Sequence, residues 1–187
     1  MSLELPTRPE VFSMDARPFA YAMIKPQGLE VREAIINKLQ GMGEIVHSSK
    51  TTVDPAAISE HYIAKQNERY FKSIVDYMSY KPVERIILQG YGEPAEFIKQ
   101  LRDLAGVMKP LKADDGTIRR MAIDNVMPHI MITPQADREL QQFAYDNLIH
   151  TSDSFEAAMD EIRIWFADQP QVIDAAYKSY LSQYRES

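Results

Sequence analysis

The sequence predicts an α/β protein, α+β in arrangement, built on one four-stranded antiparallel sheet. Short apolar runs, bounded by prolines and glycines, alternate with stretches whose apolar residues recur at helical spacing. The chain has 187 residues, of which 45% are hydrophobic and 26% are charged, and this suits one domain with a sizeable core.

The first strand and helix are predicted near the start of the chain. Residues 19–24 form an apolar run that stops at Lys25-Pro26, which indicates a buried strand. Gly28 opens a helical stretch, and glycines at positions 41 and 43 mark its end. Residues 1–18 contain three prolines and are predicted to be a lead-in to a single domain over residues 19–187.

The middle of the chain predicts two strands around a pair of helices. Residues 44–53 are rich in β-branched residues and predict the second strand. Asp54 is the expected cap of a helix with Pro55 at its first position, running to about residue 66. A second helix carries Tyr70 and residues 71–78, and residues 83–89 predict the third strand.

The remaining elements complete a split β-α-β-β-α-β pattern. Residues 94–105 predict a helix, and Asp153 with Glu156 resembles a capping box at the start of another. That helix is expected to lead into a fourth strand over residues 162–166, followed by an amphipathic helix over residues 171–185. The order fits a ferredoxin-like sheet with helices packed on one face.

Charge and composition exclude several classes of protein. The net charge of −6 makes nucleic acid an unlikely partner, and the absence of cysteine excludes disulfides and thiolate sites. No apolar run approaches the roughly 18 residues that span a bilayer, so no membrane association is expected. The N-terminus lacks a secretory pattern, and we therefore expect a cytoplasmic protein.

Basic residues near segment ends are the candidates for chemistry. The chain has no Walker loop, dinucleotide fingerprint or protein-kinase signature, and no histidine pair has the spacing of a zinc helix. What remains is Lys25, Arg102, Arg119 and His150, a set that suits phosphoryl transfer. Taken alone, the same residues also fit solvated charges and a structural histidine.

Four blocks of sequence favour a catalytic role for these residues over a structural one. They are Tyr-Ala-Met-Ile-Lys-Pro-Gln-Gly at residues 21–28, Glu-His-Tyr at 60–62, Gly-Thr-Ile-Arg at 116–119 and Asn-Leu-Ile-His-Thr-Ser-Asp-Ser at 147–154. With Glu161 and Trp165-Phe166 they resemble, in order, the nucleoside diphosphate kinase family over residues 21–166. The resemblance implies that His150 takes the terminal phosphate of a nucleoside triphosphate and passes it to a nucleoside diphosphate.

The resemblance also implies the partners and roles of the other residues. Lys25, Arg102 and Arg119 would contact phosphates, and Mg²⁺ would enter with the nucleotide rather than bind a protein metal site. Tyr62 would lie beside the phosphohistidine, Tyr70 would stack on the base, and Asn147 would contact the sugar. Glu161 would accept a hydrogen bond from His150 and be held by Ser152.

Other interpretations of these residues stay open at this point. Tyr62 and Tyr70 would also fit helix-face core residues, Arg102 an exposed helix charge, and Glu161 a surface carboxylate. Asp153 is expected to be a helix cap. His61 is expected to be structural, and no role is predicted for the other two histidines, at positions 47 and 129.

Two departures from the family are evident. Met108 stands where the family carries a phosphate-contacting threonine, and a thioether cannot donate a hydrogen bond. Residues 120–146 form an apolar insertion, expected to pack on a neighbouring subunit or over the nucleotide site, with a satellite cluster on its own domain as the alternative. The family implies a homo-oligomer, a tetramer or hexamer; a nucleotide-binding or regulatory module that has lost catalysis is the alternative function.

Overall fold

The fold is an antiparallel sheet of four strands, seen in a computed structural model that describes residues 12–123 and 147–183. The strands are β1 (Phe19–Ile24), β2 (Glu44–Thr52), β3 (Pro82–Gln89) and β4 (Ile149–Thr151). Their order is β2-β3-β1-β4, and every neighbouring pair is antiparallel. This order confirms the predicted split β-α-β-β-α-β arrangement.

Helices lie in the connections between the strands and also follow β4. The described ranges contain α1 (Arg32–Gln40), α2 (Pro55–His61), α3 (Phe71–Met78), α4 (Pro94–Ala105), α5 (Phe155–Trp165) and α6 (Pro170–Gln183). Three 3₁₀ turns lie at Pro26–Val31, Ile63–Lys65 and Pro110–Lys112. No helix in these ranges has both the length and the apolar character needed to cross a membrane.

Helices cover both faces of the sheet, so the prediction of helices on one face is wrong. Strand β1 is buried along its whole length and alternates between two cores. Phe19, Tyr21 and Met23 pack with α2, α3, α5 and α6, whereas Ala20 and Ile24 pack with α1 and α4. A strand with both faces buried is continuously apolar, and this explains the unbroken run in the sequence.

The fourth strand is not where the sequence pattern placed it. Residues 162–166, expected to be a strand, complete and follow helix α5, whose buried residues recur three or four positions apart. The strand is the three-residue segment Ile149–Thr151, with a polar residue at its centre. So short a strand carries too little apolar alternation to be recognised from sequence.

The helix starts agree with expectation at one position and differ at another. Asp54 caps α2 as predicted, its Oδ1 accepting from the Ala56 amide at 2.7 Å. The cap of α5 is Ser154 rather than Asp153, since the Ser154 hydroxyl accepts from the Ala157 amide at 3.0 Å. Helix α2 also ends at His61, about one turn before the predicted end, and a 3₁₀ turn follows it.

The lead-in and the insertion are described in part. Within the lead-in, the carbonyl of Asp15 accepts a hydrogen bond at 2.7 Å from Ser179 in α6, and Arg17 pairs with Glu44 at 2.6 Å. At the start of the insertion, Met121 and Ile123 pack against the core beneath α1 and α4. Residues 124–146 lie outside the described part, so the predicted packing of the insertion stays a prediction.

Candidate active site

A cleft of about 1,200 Å³ brings together the residues singled out in the sequence. It is lined by residues from the ends of β1, α2 and α4, from β4 and from α5. Nine of the ten candidate residues line it: Lys25, Tyr62, Tyr70, Arg102, Met108, Arg119, Asn147, His150 and Glu161. The tenth, Ser152, is buried behind Glu161 and contacts it.

His150 is the middle residue of β4 and is held by a relay of hydrogen bonds. Its Nε2 lies 2.7 Å from Oε1 of Glu161, and Oε2 of Glu161 accepts from the Ser152 hydroxyl at 2.6 Å. The Ser152 oxygen in turn accepts from the main-chain N–H of Tyr21 at 3.1 Å. Because Tyr21 belongs to the buried strand β1, the imidazole orientation is fixed by the sheet itself.

Backbone contacts hold β4 against β1. His150 pairs with Met23, and the amide of Lys25 donates to the carbonyl of Leu148 at 3.0 Å. A Cβ on Gly28 would lie 2.2 Å from that same carbonyl, so only glycine allows the loop after β1 to approach this closely. The same loop carries Lys25, which is only 4% exposed and lines the cleft.

Aromatic rings surround His150 on the side of α2 and α5. The centroid of the His61 ring lies 4.4 Å from that of His150, and the Tyr21 ring lies 6.1 Å away. The His61 side chain is 2% exposed, and its Nδ1 accepts a hydrogen bond from Nε1 of Trp165 at 3.1 Å. Burial, together with the charges of His150 and Lys25, lowers the pKa of His61 well below its usual value.

Tyr62 follows His61 and faces the same cleft. Burial, followed by the nearby charge of Glu161, raises the pKa of the Tyr62 phenol above its usual value. The phenol therefore keeps its proton at neutral pH and can donate a hydrogen bond to an anion in the cleft.

Arg119 supplies a fixed positive charge to the floor of the cleft. Its Nη1 donates to the carbonyl of Gly106 at 2.6 Å, while Nε and Nη2 donate to the carbonyl of Ile149 at 3.3 and 3.2 Å. Gly106 ends α4 at a φ of +85°, a conformation that glycine adopts without strain. Burial lowers the pKa of the guanidinium, but arginine stays charged at neutral pH.

The opposite rim of the cleft is more exposed. Arg102 is 54% exposed and pairs with Asp153, whose side chain is 79% exposed, at 3.4 Å. Met108 is 50% exposed, and its carbonyl accepts from the side-chain amide of Asn147 at 3.2 Å. The thioether of Met108 thus borders the cleft without offering it a hydrogen-bond donor.

Two groups of side chains in the cleft have the chemistry of metal ligands. Ligand atoms of His61, His150 and Glu161 lie within 4.8 Å of one another. The Trp165 N–H and the Ser152 hydroxyl already occupy two of these three residues, which disfavours an ion there. Carboxylates of Asp114 and Asp153 also line the cleft, and oxygen donors of this kind suit Mg²⁺.

Sequence patterns missed several residues that surround His150. His61 was expected to be only structural, and Tyr21 and Trp165 were noted only within blocks of resemblance, although all three rings lie around the site. Asp153 was expected to be a cap but lines the cleft and pairs with Arg102. The spacing of these residues along the chain gives no signal of their proximity, because three separate elements carry them.

Comparison with known proteins assigns the family. The profile of the family described as "Nucleoside diphosphate kinase" matches residues 19–170 of this chain. The chain belongs to the nucleoside diphosphate kinase family. Among curated nucleoside diphosphate kinases, that of Microcystis aeruginosa is 28% identical over 151 residues, covering 79% of this chain and 87% of the relative. That of Listeria monocytogenes is 29% identical over 152 residues, covering 80% and 88%.

Solved structures of the family share the fold. The nucleoside diphosphate kinase of Encephalitozoon cuniculi superposes with a TM-score of 0.62 at 23% identity, covering 79% of this chain and 88% of that one. The enzyme of Halobacterium salinarum, solved in complex with CDP, superposes with a TM-score of 0.60 at 22% identity, covering 80% and 88%. These likenesses support the ferredoxin-like assignment made from the strand order.

Proposed function

We propose that this protein is an active nucleoside diphosphate kinase that transfers the terminal phosphate of a nucleoside triphosphate to a nucleoside diphosphate through a phosphohistidine at His150. The observation that carries the proposal is the bond between Nε2 of His150 and Glu161 at 2.7 Å. It leaves Nδ1 as the nucleophilic nitrogen, and that atom has no hydrogen-bond partner among residues 12–123 and 147–183. The imidazole faces a cleft lined by Lys25, Arg102 and Arg119.

This geometry supports a first half-reaction in which Nδ1 of His150 is the nucleophile. The lone pair on Nδ1 of His150 attacks the terminal phosphorus, an N–P bond forms, and the P–O bond to the next phosphate breaks. The bridging oxygen keeps the electron pair and leaves with the nucleoside diphosphate. The proton on Nε2 stays shared with Glu161, whose negative charge offsets the positive charge that phosphorylation places on the ring.

The second half-reaction reverses these steps with a different nucleotide. A terminal oxygen of the incoming nucleoside diphosphate attacks phosphorus, the N–P bond breaks, and its electron pair returns to Nδ1. Because donor and acceptor use one site in turn, the cycle is ping-pong. Ser152 holds Glu161 through both halves, which keeps the tautomer of His150 constant.

Positive charge in the cleft stabilises the transferring phosphate. The guanidinium of Arg119 is fixed by main-chain carbonyls, so it needs little reorganisation when charge develops on the phosphate oxygens. Lys25 adds a charge from the buried end of β1, and the neutral Tyr62 phenol adds a hydrogen-bond donor. Arg102 would reach the phosphates from the exposed rim.

Nucleoside recognition is assigned to residues at the cleft wall. The half-buried ring of Tyr70 would stack on the base, which tolerates any base because each has a π-face. Asn147 would contact the sugar hydroxyls once its amide leaves the Met108 carbonyl. The CDP bound to the relative from Halobacterium salinarum supports nucleotides as the ligands of this fold.

Mg²⁺ fits the cleft as a companion of the nucleotide. Asp114 and Asp153 are among several carboxylates lining the cleft, and they would hold the hydrated ion beside the phosphates. When bound, Mg²⁺ neutralises phosphate oxygen charge and favours departure of the diphosphate. The predicted tetramer or hexamer and the cytoplasmic location stay predictions.

A second candidate function is a nucleotide-binding module with weakened catalysis. The observation that favours it is Met108, a half-exposed thioether at the cleft where a hydroxyl would bind phosphate. The intact His150–Glu161–Ser152 relay argues for the enzyme instead, because a module without catalysis needs no such orientation.

Labelling with ATP tests the proposal. Purified protein is incubated with Mg²⁺ and ATP labelled on the terminal phosphate, and protein-bound label is followed in acid and in alkali. We expect an acid-labile, alkali-stable phosphoprotein that loses its label on addition of a nucleoside diphosphate. His150→Ala should take no label, while His47→Ala, the matched control, should label normally. Absence of label on the wild type would favour the module.

A further inference from the structure

Two imidazoles lie close to a single carboxylate oxygen in the site, one of them within hydrogen-bond distance. Oε1 of Glu161 is 2.7 Å from Nε2 of His150 and 3.9 Å from Nδ1 of His61. An oxygen that already accepts a short hydrogen bond from one imidazole is less available to another, so a protonated His61 would compete with His150 for Glu161.

A hydrogen bond from the indole of Trp165 prevents that competition. Its N–H points at Nδ1 of His61 at 3.1 Å, and an indole nitrogen can only donate. The Nδ1 of His61 must therefore be the acceptor, and its ring proton must lie on Nε2. Since Nδ1 is the nitrogen that faces Glu161, a His61 held in this tautomer cannot donate to the carboxylate.

We infer that Trp165 and His61 form a tautomer lock, in which the indole N–H keeps a proton off Nδ1 of His61 and thereby reserves Glu161 for His150. This inference rests on the proposed function of His150 as phosphate acceptor. His61 and Trp165 are positioning residues in this account, because both act through Glu161 rather than on the nucleotide.

The charges around His61 agree with a lock that favours the neutral ring. His61 is faced by His150 from β4, by Glu161 from α5, by Lys25 from the loop after β1, and by its neighbour Tyr62. His150 and Lys25 oppose a proton on His61, while the Glu161 carboxylate at 3.9 Å attracts one. The Trp165 hydrogen bond acts together with burial and the ammonium of Lys25 against that attraction.

Removing the indole N–H should reveal the competition. In Trp165→Phe, Nδ1 of His61 is able to take a proton at low pH and donate it to Glu161. The readout is the single-turnover rate of His150 phosphorylation at pH 8 divided by the rate at pH 6. We expect this ratio to be roughly tenfold larger in the variant than in the wild type, as expected for loss of a charge-assisted hydrogen bond. An unchanged ratio would overturn the lock.

The double variant Trp165→Phe/His61→Phe distinguishes the lock from a packing defect. It removes the competing imidazole while keeping a ring in its place, so the ratio should return to within about twofold of wild type. Trp165→Phe/His47→Phe is the matched control, since His47 is a partly buried ring packed on Phe166, the residue that follows α5, and it should keep the raised ratio. A raised ratio in both double variants would overturn the inference.

A measurement on the unmodified protein completes the test. Nitrogen NMR of ¹⁵N-histidine-labelled wild type distinguishes a bare ring nitrogen from a protonated one. We expect Nδ1 of His61 to stay bare from pH 8 to pH 6, and a protonated Nδ1 in this range would overturn the lock. This NMR readout needs no turnover. If the wild type takes no label from ATP, the proposed kinase activity is contradicted, and the tautomer of His61 is still decided by the NMR measurement.

Discussion

The two sides of the cleft are built differently. The acceptor side consists of His150, Glu161 and Ser152, joined by hydrogen bonds of 2.6 and 2.7 Å and anchored on the buried strand β1. The rim consists of Arg102, Met108 and Asp153, all half or more exposed to solvent. The proposed nucleophile, His150, is therefore oriented before nucleotide arrives, whereas the rim has few contacts to lose. Substitutions should cost far more on the acceptor side.

The largest effect is expected at Glu161. Glu161→Gln keeps the shape but removes the charge that holds the Nε2 proton of His150, so kcat should fall by about 10² to 10³-fold. Steady-state kinetics with ATP and a nucleoside diphosphate measure it. Glu156→Gln, on the same helix but not lining the cleft, should leave kcat within about twofold of wild type. A fall of less than about tenfold would contradict the importance of the relay.

The next comparison sets a fixed arginine against an exposed one. Arg119→Met removes a guanidinium already oriented by the carbonyls of Gly106 and Ile149, and kcat/KM should fall by about 10²-fold. Arg102→Met removes a half-exposed charge already paired with Asp153, and the loss should be nearer tenfold and mainly in KM. Thermal unfolding of both variants checks that the folds are intact. Equal losses would remove the distinction between fixed and exposed charge.

Lowering the pH should reduce the free energy of unfolding through His61, the buried imidazole next to the acceptor side. The pKa of His61 is lowered in the folded state, so below its unfolded value near 6.5 the unfolded chain binds the extra proton and stability falls as pH falls. His61 should therefore contribute a loss of stability that begins near pH 6.5 and grows as the pH falls further. Urea unfolding at several pH values should show a shallower slope for His61→Phe; an equal slope would contradict the buried neutral ring.

The smallest effect is expected at the rim. Met108→Thr would restore a hydroxyl beside the phosphates, and we expect kcat/KM to rise by about threefold to tenfold, the value of one modest hydrogen bond. Leu111→Thr, a comparably exposed apolar residue of the same loop that does not line the cleft, is the control and should change nothing. An unchanged kcat/KM in Met108→Thr would mean that the missing hydroxyl at this position does not limit phosphate binding.

Much of the fold could be predicted because its pattern is local. The unbroken apolar run of β1 and the Asp54-Pro55 start of α2 are properties of neighbouring residues, and both are found where predicted. Strand β4 could not be predicted, since a three-residue strand depends on pairing with β1 rather than on its own composition. The placement of helices on both faces of the sheet could not be predicted either, because it depends on tertiary packing and not on the sequence of any one segment.

The candidate site shows the same division. Nine of the ten predicted residues line one cleft, and the resemblance to a known family, not their spacing, made this set predictable. The His61–Trp165 pair went unrecognised because the two residues lie 104 positions apart and no pattern in either segment links them. The spacing of residues within one helix or strand does not predict their distance from residues in another.

The shortness of β4 bears on how the site opens. This strand lies at one end of the sheet order and is hydrogen-bonded only to β1 among the described strands. Its ends are fastened by the Lys25 amide on the Leu148 carbonyl and by the Ser152 amide on the Tyr21 carbonyl. These two amide hydrogens should therefore exchange with solvent together, as one cooperative unit that opens without global unfolding. Their protection would report, residue by residue, whether His150 is held in place.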